Sequence, residues 1–161
     1  MIIDAHVHIW HRKWLPDQAV KLYLEPARKL KELGLDEVFD FGLDDDIPFS
    51  DYDTPMEEYI RGLDANSIDR MIVLGIDFGL VNEGRMTIDE YYQWLYEKCS
   101  VDDRFMIFIG VDPNRKDAID VLNRLNKKYE PKGIKMYPAT GFYPDDPKHD
   151  AFWDAVDDMG L

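Results

Sequence analysis

A chain of 161 residues carrying 33 acidic against 19 basic side chains, net −14, is the size of one ordinary domain and repels polyanions, which argues against nucleic acid and anionic membrane as partners. Cys99 is the only cysteine, so an internal disulfide is impossible and a reducing cytoplasm is the expected compartment. No apolar run is long enough to cross a bilayer, and no basic region leads into a long apolar stretch at the N-terminus, so no signal peptide is expected.

Residues 1–10, MIIDAHVHIW, read as a first strand rich in β-branched residues. Side chains alternate along a strand, so Asp4, His6 and His8 are expected on one face, with Ile3, Ala5, Val7 and Ile9 on the other. Two histidines at i and i+2 can bring their ring nitrogens to one ion, which makes His6 and His8 candidate metal ligands. The plainer alternative is a pair of hydrogen-bonded structural histidines. A long connection follows, residues 11–67. Residues 16–24 look helical, and Pro26 is expected to break that helix or to start another at Ala27. Leu30 and Leu33 give the second piece an apolar side, and Gly34 is a good stop. Residues 36–53, acidic and aromatic without a period, read as an ordered loop, either a lid or a solvated surface. Thr54 and Pro55 then open a helix, Thr54 as its cap, with Glu57 and Glu58 complementing its dipole.

Residues 70–76, RMIVLGI, form an apolar run that suits a strand buried on both faces. Thr87 caps a helix through about Cys99, with Ile88, Tyr91, Tyr92 and Leu95 as its apolar stripe. Residues 105–111, FMIFIGV, are a third strand, ended by Asp112-Pro113. Residues 118–129 form an amphipathic helix with Ile119, Leu122 and Leu125 inward. Residues 133–137, GIKMY, are a fourth strand, with Gly133, Lys135 and Tyr137 on one face. Residues 147–159 are a last helix with Phe152 and Val156 inward and Gly160 as its stop.

Strands alternating with helices imply a parallel sheet with right-handed crossovers in an α/β domain spanning 1–161. No Gly-rich phosphate loop follows the first strand, and the polar residues of interest sit at strand C-terminal ends. Both features favour a (β/α) barrel over a doubly wound sheet. Only four strands are present where a barrel has eight, so the expected architecture is a partial barrel with two open edges. Lys135, a charge within a strand, requires a partner or a modification: an ion pair, for instance with Asp4, or a metal-bridging carbamate. Asp77 and Asp112 also end strands, where each could touch a ligand, but Asp112 opens a turn-starting Asp-Pro, which favours a structural role for it. His11 and His149 lie in loops, and nothing groups them with the first pair.

The opening strand MIIDAHVHIW resembles that of the amidohydrolase superfamily, metal-dependent hydrolases on a (β/α)8 barrel. ANSIDRMIVLG is similar to the second-strand region of the branch that includes metal-dependent decarboxylases, and GIKMYPATGFYPDDPKHDAFWDAVDDMGL to its fourth βα unit. The resemblance implies that His6 and His8 are the first two ligands of a divalent ion, zinc foremost and manganese next, and that Lys135 stands where binuclear members carry a carbamate. It implies further ligands and the general base from later strands, outside this chain, and hence partial metal occupancy. The implied reaction is attack of activated water on a C–N or C–O bond of a small-molecule substrate. Non-oxidative decarboxylation is the alternative, and a non-catalytic half-barrel covered by a second copy or by a C-terminal half is a third.

Overall fold

The computed structural model describes residues 1–35, 54–79 and 85–161. The acidic, aromatic stretch 36–53, read above as a lid or surface loop, lies outside them. Among the described residues nine strands and α-helices follow one another: β1 (Ile3–Val7), α1 (Asp17–Glu32), α2 (Met56–Ala65), β2 (Arg70–Leu74), α3 (Ile88–Cys99), β3 (Phe105–Gly110), α4 (Ala118–Tyr129), β4 (Gly133–Lys135) and α5 (Asp150–Asp158). The four strands form one sheet in the order β1-β2-β3-β4, and every pair is parallel. Strand order equal to chain order has no reversal, and a doubly wound sheet requires one. The arrangement is that of a partial (β/α) barrel.

The register decides which side chains share a face, because paired residues of neighbouring parallel strands point the same way. Val7 pairs with Val73, and Val73 with Ile107. That line faces the helices. Met71, Val73, Phe105, Ile107 and Ile109 are buried there with Tyr91, Tyr92, Leu95, Val121, Leu122 and Leu125 in one continuous cluster. His6 and His8 flank Val7 and therefore project from the opposite face, as does Lys135, which pairs with Gly110.

Two devices fix α3. Thr87 and Glu90 make a complete capping box: the Glu90 N–H donates to Thr87 Oγ1 at 3.2 Å and the Thr87 N–H to Glu90 Oε2 at 2.7 Å, which fixes the entry of α3. Farther along α3, the Tyr92 hydroxyl donates to the Gly110 carbonyl at 2.8 Å and accepts the Gly110 N–H. Gly75 leaves room for this close approach, since a Cβ there would lie 2.5 Å from the Tyr92 hydroxyl oxygen.

Several local expectations are corrected. The pairing slips by one residue between Asp4 and Val7, since Asp4 faces Met71 and Val7 faces Val73. The extra residue of a bulge reverses alternation on one side, so Asp4 leaves the face of His6 and His8. Pro26 lies inside α1 instead of ending it. A proline costs the helix one backbone bond there, and the Glu25–Lys29 ion pair at 3.2 Å spans the site. Leu33 is 70% exposed because it is the C-cap of α1, not part of an apolar face. The stop at Gly34 holds: Leu35 N–H returns to the Leu30 carbonyl at 2.9 Å and Gly34 N–H to Lys31 at 3.0 Å, a left-handed terminal turn. Helix α2 begins one residue later than expected, with Pro55 at the cap and no side-chain cap bond. In α4, Ile119 turns outward at 37% exposure while Val121 takes its place in the core.

Candidate functional site

His8 follows directly after β1, at the C-terminal end of the sheet. Its Nδ1 lies 2.8 Å from the Leu74 carbonyl oxygen at the end of β2. A carbonyl only accepts, so Nδ1 carries the proton and the neutral ring leaves Nε2 bare. The His6 and His8 Nε2 atoms stand 3.1 Å apart, with the rings edge to face at 5.0 Å. Two nitrogens sharing a tetrahedral ion through bonds of about 2.0–2.1 Å lie roughly 3.3 Å apart. The spacing thus fits a common cation. It equally fits a ring-to-ring hydrogen bond when His6 holds its proton on Nε2. Burial lowers the basicity of His8, the Leu74 bond works against that shift, and the charges of His6 and Lys135 reinforce it. The ring therefore stays a neutral donor to lower pH than free imidazole does.

His6 is exposed and His8 half-buried, so the pair is open to a ligand. The bulge in β1 has a role here: the Asp4 carboxylate accepts the His6 N–H at 3.2 Å, holding the backbone where alternation breaks. Among the described residues no third histidine, cysteine or carboxylate joins the pair in a cluster able to hold a metal. Lys135 is half-buried on the same face, near enough to His8 to oppose its protonation. Among the described residues no salt bridge joins Lys135 to Asp4.

The other polar candidates are engaged elsewhere. Asp77 is 2% exposed and its carboxylate accepts four donors. These are the N–H groups of Gly79 and Asp112, each at 2.8 Å, Arg115 Nη2 at 2.7 Å, and Arg115 Nε. The expectation that Asp77 could meet a ligand gives way to a clamp that ties the loop after β2 to the loop after β3. Asp112 is structural as expected: it is buried, and its Oδ1 accepts the Asn114 N–H at 2.8 Å. Gly79 adopts φ +62°, and a Cβ there would sit 2.3 Å from Asp112 Oδ2. His11 packs edge-on against Trp94 at 4.9 Å, and His149 is buried against Phe142. Neither approaches the pair as a metal cluster would.

A model of the amidohydrolase family matches residues 3–161. The chain belongs to the amidohydrolase family. No curated protein and no solved structure matches it closely enough to add to that assignment. For an amidohydrolase, the placement of His6, His8 and Lys135 at the C-terminal ends of parallel strands is where barrel enzymes build their sites. Sequence reasoning did not find the Arg115–Asp77 pair, although an arginine just beyond one strand and an acid just beyond its neighbour was the available signal. Nor did it find the Leu74 carbonyl, which as a backbone atom leaves no trace in residue identity. No helix among the described residues is long and apolar enough to cross a membrane.

Proposed function

We propose that this amidohydrolase chain carries the first half of a metal-dependent hydrolytic site, in which His6 and His8 hold one divalent cation, zinc foremost. The observation that supports it is the pair of Nε2 atoms 3.1 Å apart, with His8 fixed in its Nδ1–H tautomer by Leu74. A ring whose far nitrogen is hydrogen-bonded is the usual arrangement of a metal-bound histidine. When bound, such an ion supplies an activated water and polarises a carbonyl.

The chain's own groups then have distinct tasks. Leu74 orients His8. His6, exposed, closes the pair from the solvent side. Lys135 contributes positive charge on the same face, favouring an anionic group of the substrate, and as a carbamate it would become a further ligand. No group of this pair is free to serve as general base while both rings hold a cation. The base must then be a third group, and His6 and His8 by themselves are expected to support little or no turnover. Zinc titration against a competing chelator tests the reading, with His6→Ala and His8→Ala expected to weaken binding at least about tenfold each. Unchanged affinity in both variants would remove it.

A second reading rests on the flank of β1, where Ile2 and Ile3 are 55% and 43% exposed. Apolar residues beside a strand edge that has no partner among the described residues invite pairing, which fits a half-barrel covered by a second copy. Sedimentation equilibrium showing a monomer at high concentration would end this reading.

A further inference from the structure

The imidazole of His8 is gripped on its face as well as at its nitrogen. Trp10 stacks on it with ring centroids 4.9 Å apart and planes within 25°. Phe78 packs against Trp10 with ring centroids 6.1 Å apart and meets Tyr137 edge-on at 5.9 Å. Trp10 and Phe78 are both buried, so neither ring can swing away without opening the core. Phe78 sits between two fixed points in the chain. Before it, Asp77 accepts its four donors, and the Ile76 carbonyl accepts the Trp14 Nε1–H at 2.6 Å. After it, Gly79 is held in the left-handed region against Asp112. A rigid support thus runs from the Arg115–Asp77 pair through Phe78 and Trp10 to the His8 ring.

We propose that Trp10 is a positioning residue: its indole, backed by Phe78, sets the plane of the His8 imidazole and so the direction in which Nε2 points. The hydrogen bond to Leu74 fixes one point of the ring, but an unsupported ring can pivot about its side-chain bond, which carries Nδ1 off the carbonyl and frees the tautomer. The stacked indole removes the pivot. The inference rests on His8 being a metal ligand for its functional meaning, but its geometric content stands on metal-free protein.

The test uses the full chain labelled with ¹⁵N-histidine. In metal-free wild type, long-range proton–nitrogen spectra should show His8 as a single Nδ1–H tautomer, its ring protons shifted upfield by the indole. Trp10→Phe should keep both features. Trp10→Leu, which fills space without a ring face, should give mixed tautomers and a zinc affinity lower by about 10- to 100-fold, the range for groups that orient a ligand. Phe78→Leu keeps Trp10 but removes its backing. It should move both readouts in the same direction by a smaller amount, and it decides the matter if Trp10→Leu does not fold. A residue that only fills the core would lower the unfolding midpoint and leave the tautomer alone. A wild-type tautomer together with wild-type zinc affinity in the folded Leu variants overturns the proposal. If wild type and His6→Ala bind zinc equally, the ligand assignment fails, while the tautomer and ring shifts still decide the positioning role.

Discussion

Toward its helices the sheet presents Met71, Val73, Phe105, Ile107 and Ile109, every one buried. Toward its other side it presents His6, Ile72, Met106, Phe108 and Lys135, exposed or half-buried, with Leu74 buried beside Phe108. The helix-bearing face removes apolar area from water and so supplies the stability. The opposite face keeps ring nitrogens and an amine within reach of solvent, where they stabilise little and can act chemically. The same four strands therefore divide the work by pleat: of the adjacent residues Ile107 and Phe108, the first is buried against the helices and the second only half-buried on the other side. The difference teaches where mutation should hurt folding and where it should hurt only binding.

The severest way to break that division is at the clamp joining the loops above the sheet. Arg115→Met leaves the Asp77 carboxylate, 2% exposed, with its two backbone donors but no countercharge. Removing one partner of a buried pair costs on the order of 3 kcal/mol. Urea denaturation should show that loss, and a change under about 0.5 kcal/mol, ordinary for a surface site, would mean that the pair is solvated. One step smaller is Tyr92→Phe. It removes the hydroxyl that both donates to and accepts from Gly110, leaving a buried N–H and carbonyl short of a partner for about 1–3 kcal/mol. Zinc affinity should stay at the wild-type value in this variant, because Tyr92 acts from the helix-bearing face. By contrast His6→Ala, on the exposed side, should weaken zinc binding at least about tenfold and leave the urea midpoint nearly unmoved.

Much of this division was legible in the residues. The apolar runs 70–76 and 105–111 announced buried parallel strands, and the structure shortens them only at their ends, to Arg70–Leu74 and Phe105–Gly110. Thr87 with Glu90 announced the start of α3, because capping is a local bond between near neighbours. The face shared by His6 and His8 was legible from period two, whereas the loss of Asp4 from that face was not. A bulge is set by how β1 meets β2, and nothing in the sequence of β1 alone counts the residues of its partner. The same holds for Pro26 inside α1 and for Ile119 at the rim of α4, where position in the tertiary structure outweighs a local preference. In the site, side chains with distinctive chemistry were found and their supports were not. The supports are a carbonyl, a stacked ring and an arginine 38 residues from its partner.

The gentlest test uses acid. Burial depresses the pKa of His8 below its ordinary 6.5. As pH falls through that value, the unfolded chain takes up a proton that the folded chain still refuses. Stability must then fall with falling pH until the folded ring also protonates, after which this contribution stops changing. The loss is confined to the window between the depressed value and about 7, and its slope cannot exceed about 1.4 kcal/mol per pH unit for one proton. Acid also titrates the many carboxylates, so the wild-type profile alone does not isolate the ring. The difference between wild type and His8→Gln, measured by urea denaturation at closely spaced pH values without metal, cancels those shared groups. That difference should shrink on acidification, with wild type losing its advantage. A flat difference would place His8 in open water, as solvated as an exposed side chain, and would erase the distinction between a half-buried ligand and an exposed one on which the asymmetry of His6 and His8 depends.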